Sequence, residues 1–201
     1  MDLNKKFKTK RYIGIVGHRD IEMDLSYEFQ VASILARLQK CYPNDEIIVV
    51  SALADGADRI GIYAAKRLKM RYDVLLPMPL ETYVQDFDDD SFEEFMRLFC
   101  DARSSNVVPL CDECTDHNIV TEDTFRAKQY QAMGITLLKQ CHHMIFLFYE
   151  FDAMIRKPGG TADILAFAKS MDKSYDIVPV ERKYKDFNHD RCRKISNHLS
   201  E

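Results

Sequence analysis

Along this chain, short continuous apolar runs alternate with stretches of helical period. Tyr12-Ile-Gly-Ile-Val-Gly17 is β-branched and closed by glycine, which suits a buried strand. Phe29, Ile34, Leu35 and Leu38 then fall near one face of a 3.6-residue period, until Pro43-Asn44-Asp45 breaks it. Ile47 to Val50 is a second strand, and Ala57 to Met70 reads as a helix with Ile60, Ala64 and Leu68 on one stripe. Val74 to Leu76 is a third strand, stopped by Pro77 and Pro79. Ser91 and Glu94 have the spacing of a capping box, predicting a helix from Phe92 to about Arg103. Val107 to Leu110 follows as a short strand and Cys111 to Asn118 as a polar loop. Thr121 is placed to cap a long helix ending near Gln140, with Glu122 and Asp123 at the positive end of its dipole. Met144 to Tyr149 is the strongest strand pattern. Pro158-Gly159-Gly160 leads into a helix from Thr161 to about Met171. Ile177, Val178 and Val180 close the pattern, with Pro179 placing that strand near a sheet edge.

Strands that are apolar throughout and alternate with helices predict an α/β domain, its parallel sheet covered on both faces. The first strand is expected at the centre. The pattern fills residues 1–180, and a charged tail runs from 181 to 201, read as a terminal helix, a disordered end or a stub toward a partner domain. At 201 residues, 46% hydrophobic and 30% charged, the chain is neither disordered nor fibrous. No apolar run approaches the length of a membrane span, and the first eight residues lack a secretory apolar stretch. A cytoplasmic protein is expected, with its six cysteines as reduced thiols rather than a disulfide framework. The net charge of −4 argues against nucleic acid as a partner, because phosphate neutralisation dominates that affinity.

The chemistry is expected in loops at the carboxyl ends of the strands, where open α/β sheets bind ligands. Five of the seven glycines fall there, at positions 14, 17, 56, 159 and 160. Gly159-Gly160-Thr161 opens a helix whose free N–H groups and dipole suit a phosphate; the alternative is a plain glycine turn. His18 and Arg19 follow Gly17, and Arg19 offers a planar fork for phosphate. In Ser51-Ala-Leu-Ala-Asp55-Gly56-Ala57-Asp58, the two carboxylates either cap a helix or accept from ribose hydroxyls. They would repel phosphate, so this loop is assigned to sugar or base. Asp163 either touches the sugar or satisfies the helix dipole. Arg126 and Tyr130, four residues apart, form either a platform for a nucleobase or a surface stripe. Cys111, Cys114 and His117 have zinc-like spacing, but no second Cys-x-x-Cys exists, so no metal is expected. The acidic run Asp86, Asp88, Asp89 and Asp90 reads as a solvated loop.

The ordered set Gly17-His18-Arg19, Ser51-Ala-Leu-Ala-Asp55-Gly56-Ala57-Asp58-Arg59, Leu76-Pro-Met-Pro79, Tyr83-Val-Gln-Asp86-Phe87, Tyr130 with Gly134, and Gly159-Gly160-Thr161-Ala162-Asp163 resembles the SLOG superfamily. That group contains Smf/DprA-type DNA-processing proteins, LOG-like nucleotide phosphoribohydrolases and nucleotide-sensing domains of bacterial conflict systems. The resemblance spans about residues 11–180. It implies a Rossmann-like three-layer α/β/α fold that binds a nucleotide or nucleotide-derived ligand. The LOG enzymes carry a glutamate three residues after the motif threonine, and this chain has Ile164 there. The expected function is therefore sensing of an ADP-ribose-like or cyclic nucleotide signal, with regulation of an effector protein in trans. No cofactor is expected, and self-association stays open. The alternative is an N-glycosidic hydrolase or transferase using Asp163, Glu150 or Asp55. Single-stranded DNA binding, as in the DNA-processing relatives, is set aside on the acidic balance.

Overall fold

The computed structural model describes residues 9–21, 23–154 and 156–183. Six strands, β1 (Thr9–Gly17), β2 (Asp45–Ser51), β3 (Arg71–Leu76), β4 (Ser104–Val107), β5 (His143–Phe148) and β6 (Tyr175–Pro179), form one sheet. Its order is β4-β3-β2-β1-β5-β6, and every pairing is parallel. This is a Rossmann-like α/β fold, with β1 inside the sheet and Pro179 on an edge strand, as the sequence predicts.

The helices are α1 (Leu25–Cys41), α2 (Ala57–Arg67), α3 (Leu80–Tyr83), α4 (Asp89–Asp101), α5 (Asn118–Thr121), α6 (Asp123–Gln140) and α7 (Thr161–Ser170). Alternate strand residues feed two cores. Ile13, Ile15, Val49, Leu76 and Leu147 pack with Leu35 of α1, Ile60 of α2 and Phe95 of α4. Val50, Leu75, Phe146 and Phe148 pack with Leu137 and Leu138 of α6 and Ile164 and Leu165 of α7. The layers follow from handedness: right-handed crossovers put the outgoing and returning helices on opposite faces.

Local chemistry moves several boundaries. Asp88, not Ser91, caps α4: its carboxylate accepts from the Ser91 N–H at 2.9 Å. The cap falls there because Ser91 and Glu94 are both drawn onto the buried Arg59. Thr121 does not cap the long helix; it ends α5, and its hydroxyl donates to the His117 carbonyl. The fourth strand lies three residues earlier than the apolar run implied, since Ser104 to Val107 are what pair with β3. The second helix stops at Arg67, because Lys69 turns left-handed (φ 55°) and Met70 N–H closes onto the Ala65 carbonyl at 2.9 Å. Cys111 and Cys114 are joined as a disulfide, against the expectation of free thiols. The turn between them, closed by Cys114 N–H on the Cys111 carbonyl at 2.8 Å, sets their Cα atoms 5.1 Å apart. Of the expected tail, Arg182 pairs with Asp20 and Asp152. Residues 184–201 lie outside the described residues.

The β2–α2 turn is built around one buried carboxylate. Asp58 accepts from the N–H groups of Ala52 (3.1 Å) and Ala54 (3.3 Å), while the Ser51 hydroxyl accepts from Leu53 N–H (3.0 Å). Leu53, held at φ 60°, is fully buried beneath the turn. Burial raises the Asp58 carboxyl to about 6, against the opposing pull of Ser51, the backbone donors and Arg19.

Two outcomes follow from this architecture. A raised carboxyl contributes stability that is present below its unfolded value near 4 and is lost as pH rises through about 6. Between pH 4 and 6, wild type should lose up to about 3 kcal/mol relative to Asp58→Asn, read from denaturant unfolding at each pH. Parallel profiles would contradict this. Gly17 meets α2 so closely that an added Cβ would lie 2.3 Å from the Ala57 Cβ and 2.6 Å from the Leu147 carbonyl oxygen. Backbone cannot yield there, so Gly17→Ala should destabilise by about 2 kcal/mol or more in the same unfolding measurement.

Candidate functional site

The motif loops meet at the carboxyl edge of the sheet through a chain of contacts. Gly56 has φ 69°, and a Cβ there would touch the carbonyl oxygens of Arg19 (2.5 Å) and His18 (2.7 Å). Ala57 N–H donates to the His18 carbonyl at 3.1 Å, so the start of α2 is bonded to the end of β1. The Arg19 side chain reaches α6, where its Nη2 donates to the Tyr130 hydroxyl at 2.9 Å. Gly159, with φ 72°, seats the α7 entry loop on the same turn of α6, against Tyr130 Cβ and the Ala127 carbonyl. Gly17, Arg19, Gly56, Tyr130 and Gly159 therefore form one continuous rim.

Arg19 is the cation of this rim that faces outward. Its side chain is 39% exposed, and its Nε and Nη1 have no hydrogen-bond partner among the described residues. The guanidinium carbon lies 5.3 Å from the centre of the Tyr130 ring and 5.9 Å from that of Phe87. Nearby, Gly160 takes the cap position of α7 without a side-chain cap, and Thr161 is its first helical residue. The N–H groups of Thr161 and Ala162 have no acceptor among the described residues. Dipole and donors together suit an anion.

Other site residues work as braces. Asp163 accepts from Gln131 Nε2 (2.7 Å) and Gly159 N–H (3.1 Å), tying the glycine loop to α6. Asp55 pairs with Arg59 at 3.0 Å and accepts from the Ser91 hydroxyl. Arg59 is 2% exposed and also donates to Glu94, the Leu53 carbonyl and the Ser91 carbonyl. Ser51 and Asp58 are spent on the turn above. His18 is buried, stacked on Phe148 and 3.4 Å from Asp152, which Arg182 also holds. Arg126 is occupied throughout: it donates to Asp86 (2.6 Å), the Ile119 carbonyl (2.9 Å) and the Thr82 carbonyl (3.1 Å). It braces the rim and leaves Tyr130 as the aromatic face. Glu150 is exposed at the start of the 3₁₀ turn Glu150–Met154.

The residue that the sequence misplaces is Asp86. Read as part of a solvated acidic run, it is instead 17% exposed and accepts from Arg126, Arg19 (3.3 Å) and the Tyr130 hydroxyl. Its neighbour Tyr83 is fully buried, and its hydroxyl has no hydrogen-bond partner among the described residues. Burial raises both phenols; at Tyr83, Arg19 opposes while Tyr130, Asp58 and Asp86 add to it. Both therefore stay neutral at physiological pH. The motif Tyr83-Val-Gln-Asp86-Phe87 was the signal available for this pair, because it sits at a fixed place in the ordered set. Among the described residues no group of His, Cys, Asp and Glu is arranged to hold a metal ion, and no helix is long and apolar enough to cross a membrane.

No protein-family model matches the chain, and no curated protein matches it. Solved structures do. DNA processing protein A from Streptococcus pneumoniae superposes with a TM-score of 0.54 at 13% identity, over 95% of this chain and 57% of that one. DNA processing protein A from Helicobacter pylori superposes with a TM-score of 0.51 at 13% identity, over 92% of this chain and 72% of that one. The chain thus spans little more than half the length of the pneumococcal protein. The Helicobacter pylori structure is described as showing a single-stranded DNA binding mode. That finding corrects the argument from net charge against nucleic acid: a strand contacts the charges at the site, and the sum over the whole surface does not exclude it. The Smf/DprA-type resemblance read in the sequence is borne out in three dimensions, as the shared fold of DNA processing protein A.

Proposed function

We propose that this chain binds a nucleotide or nucleotide-derived ligand at the carboxyl edge of its sheet, and that binding is read by a partner protein. The observation that carries this reading is the continuous rim from Gly56 through Arg19 and Tyr130 to Gly159. It supports one ligand held by the outward N–H groups of Arg19 and the uncapped start of α7, with Tyr130 as an aromatic neighbour. Arg19 suits the task because its charge does not titrate away and its fork matches phosphate oxygens.

Binding is favoured over hydrolysis of a glycosidic bond. Hydrolysis needs a carboxylate free to act beside the sugar. The position that carries glutamate in LOG-like enzymes is Ile164, which is 2% exposed and packed against Gly134 of α6. Asp163 and Asp55 are bound up in braces.

Thermal denaturation with AMP, NAD, ADP-ribose and a short single-stranded oligonucleotide tests the proposal. At least one should raise Tm by linkage, with little or no free base released. Arg19→Ala should weaken that ligand by about 1.5–3 kcal/mol in calorimetry while leaving the unliganded Tm nearly unchanged. Unchanged affinity with a lowered Tm would make Arg19 structural. Steady base release lost in Glu150→Gln would decide for the enzyme.

A further inference from the structure

We propose that Cys111-Asp112-Glu113-Cys114 is a reversible dithiol–disulfide site, opened and closed by exchange with a dithiol from outside the chain. This goes beyond the nucleotide reading and does not depend on it. The two sulfurs are unequal in access: Cys111 is partly exposed, whereas Cys114 is 7% exposed. The pair is also held together without its covalent bond. Cys114 N–H closes on the Cys111 carbonyl at 2.8 Å, so the thiols stay neighbours when the bond is open. The reduced state has a place for its buried thiol as well. Cys114 Sγ lies 3.5 Å from the Phe125 carbonyl, an acceptor that an S–H can use and a disulfide sulfur, having no hydrogen, cannot.

The segment is held by bonds other than the disulfide. Cys111 N–H donates to Oε1 of the fully buried Gln129 at 2.9 Å. Thr115 N–H donates to Asn118 Oδ1 (2.7 Å), Asn118 Nδ2 to the Glu113 carbonyl (3.0 Å), and Arg126 Nη1 to the carbonyl of the fully buried Ile119 (2.9 Å). A bridge between residues three apart removes less chain entropy than one closing a long loop. The route of exchange follows from the unequal access. A thiolate of the incoming dithiol attacks Cys111 Sγ, the S–S bond breaks, and Cys114 leaves as a thiolate and takes up a proton. The second thiol of the reductant then displaces Cys111, so two electrons and two protons pass to the pair and the reductant becomes a disulfide. Asp112, Glu113 and Asp116 are exposed on the same loop, and Lys128 is already paired with Glu113. An uncharged dithiol meets no repulsion there.

The tryptic peptide 104–126 contains both cysteines of the pair and no other, so alkylation of the folded protein followed by mass spectrometry reads their state. Dithiothreitol, an uncharged dithiol, should open the bond fully without denaturant, and hydroxyethyl disulfide should close it again. The reduced protein should keep a cooperative thermal transition within about 8 °C of the oxidised one. In Cys114→Ser, whose hydroxyl can still donate to the Phe125 carbonyl, hydroxyethyl disulfide should leave its mercaptoethanol half trapped on Cys111. In Cys111→Ser, Cys114 should stay unmodified. A bond that opens only in denaturant, or a reduced protein whose transition is lost or falls further, would make the bridge a structural staple and overturn the proposal. So would a pair that stays reduced in hydroxyethyl disulfide. Uptake by Cys114 in Cys111→Ser would overturn Cys111 as the point of entry. If a variant fails to fold, the wild-type cycle decides alone.

Discussion

Everything at the carboxyl edge depends on how closely the end of β1 approaches the start of α2. Ala57 N–H bonds to the His18 carbonyl, a Cβ on Gly17 would strike Ala57, and one on Gly56 would strike the carbonyls of His18 and Arg19. Without that approach, Arg19 would not leave the sheet at the height of Tyr130. The contact is local in its chemistry but long in its reach, because β1 is bonded to β2 on one side and β5 on the other. Displacing it would shift the neighbours that aim every loop of the rim.

Around that contact, charges are divided between those that hold loops and those that face outward. Arg59 is enclosed by Asp55, Glu94 and Ser91, and Asp58 by the amides of its own turn. Such enclosed groups cost desolvation and are kept only where each is satisfied, as these are. Arg126 is spent the same way on Asp86 and two carbonyls. Arg19 is the exception: two of its nitrogens have no partner among the described residues. It is a basic side chain left open in the middle of a network whose other charges are braced.

The fold was legible in the sequence because parallel strands buried on both faces are apolar throughout; Ile47 to Val50 and Met144 to Phe148 need no alternation to be recognised. The glycine positions of the rim were legible too, since few other residues tolerate such close backbone contact or a positive φ. Partnerships between distant side chains were not. Ser91 and Glu94 have the spacing of a cap but are claimed by Arg59, more than thirty positions away in the chain. Asp86 looks like one of several solvated aspartates until Arg126 and Tyr130 arrive from α6. Local spacing predicts local bonds, and it misleads where a buried cation outbids the helix end for the same oxygens.

The strand order has a consequence for how the chain assembles. β1 to β4 add outward in sequence, each beside the last, so four of the six strands can form from neighbours. β5 must then return across all four of those strands to pair Ile13 with His143, a separation of 130 residues. The rim joins residues from both sides of this seam, Arg19 and Gly56 from the early half and Tyr130 and Gly159 from the late one. Loop closure over such a length is slow relative to local pairing. The rim is therefore among the last features to appear during folding, and a nascent or truncated chain that has built its first four strands exposes β1 as an unfilled sheet edge.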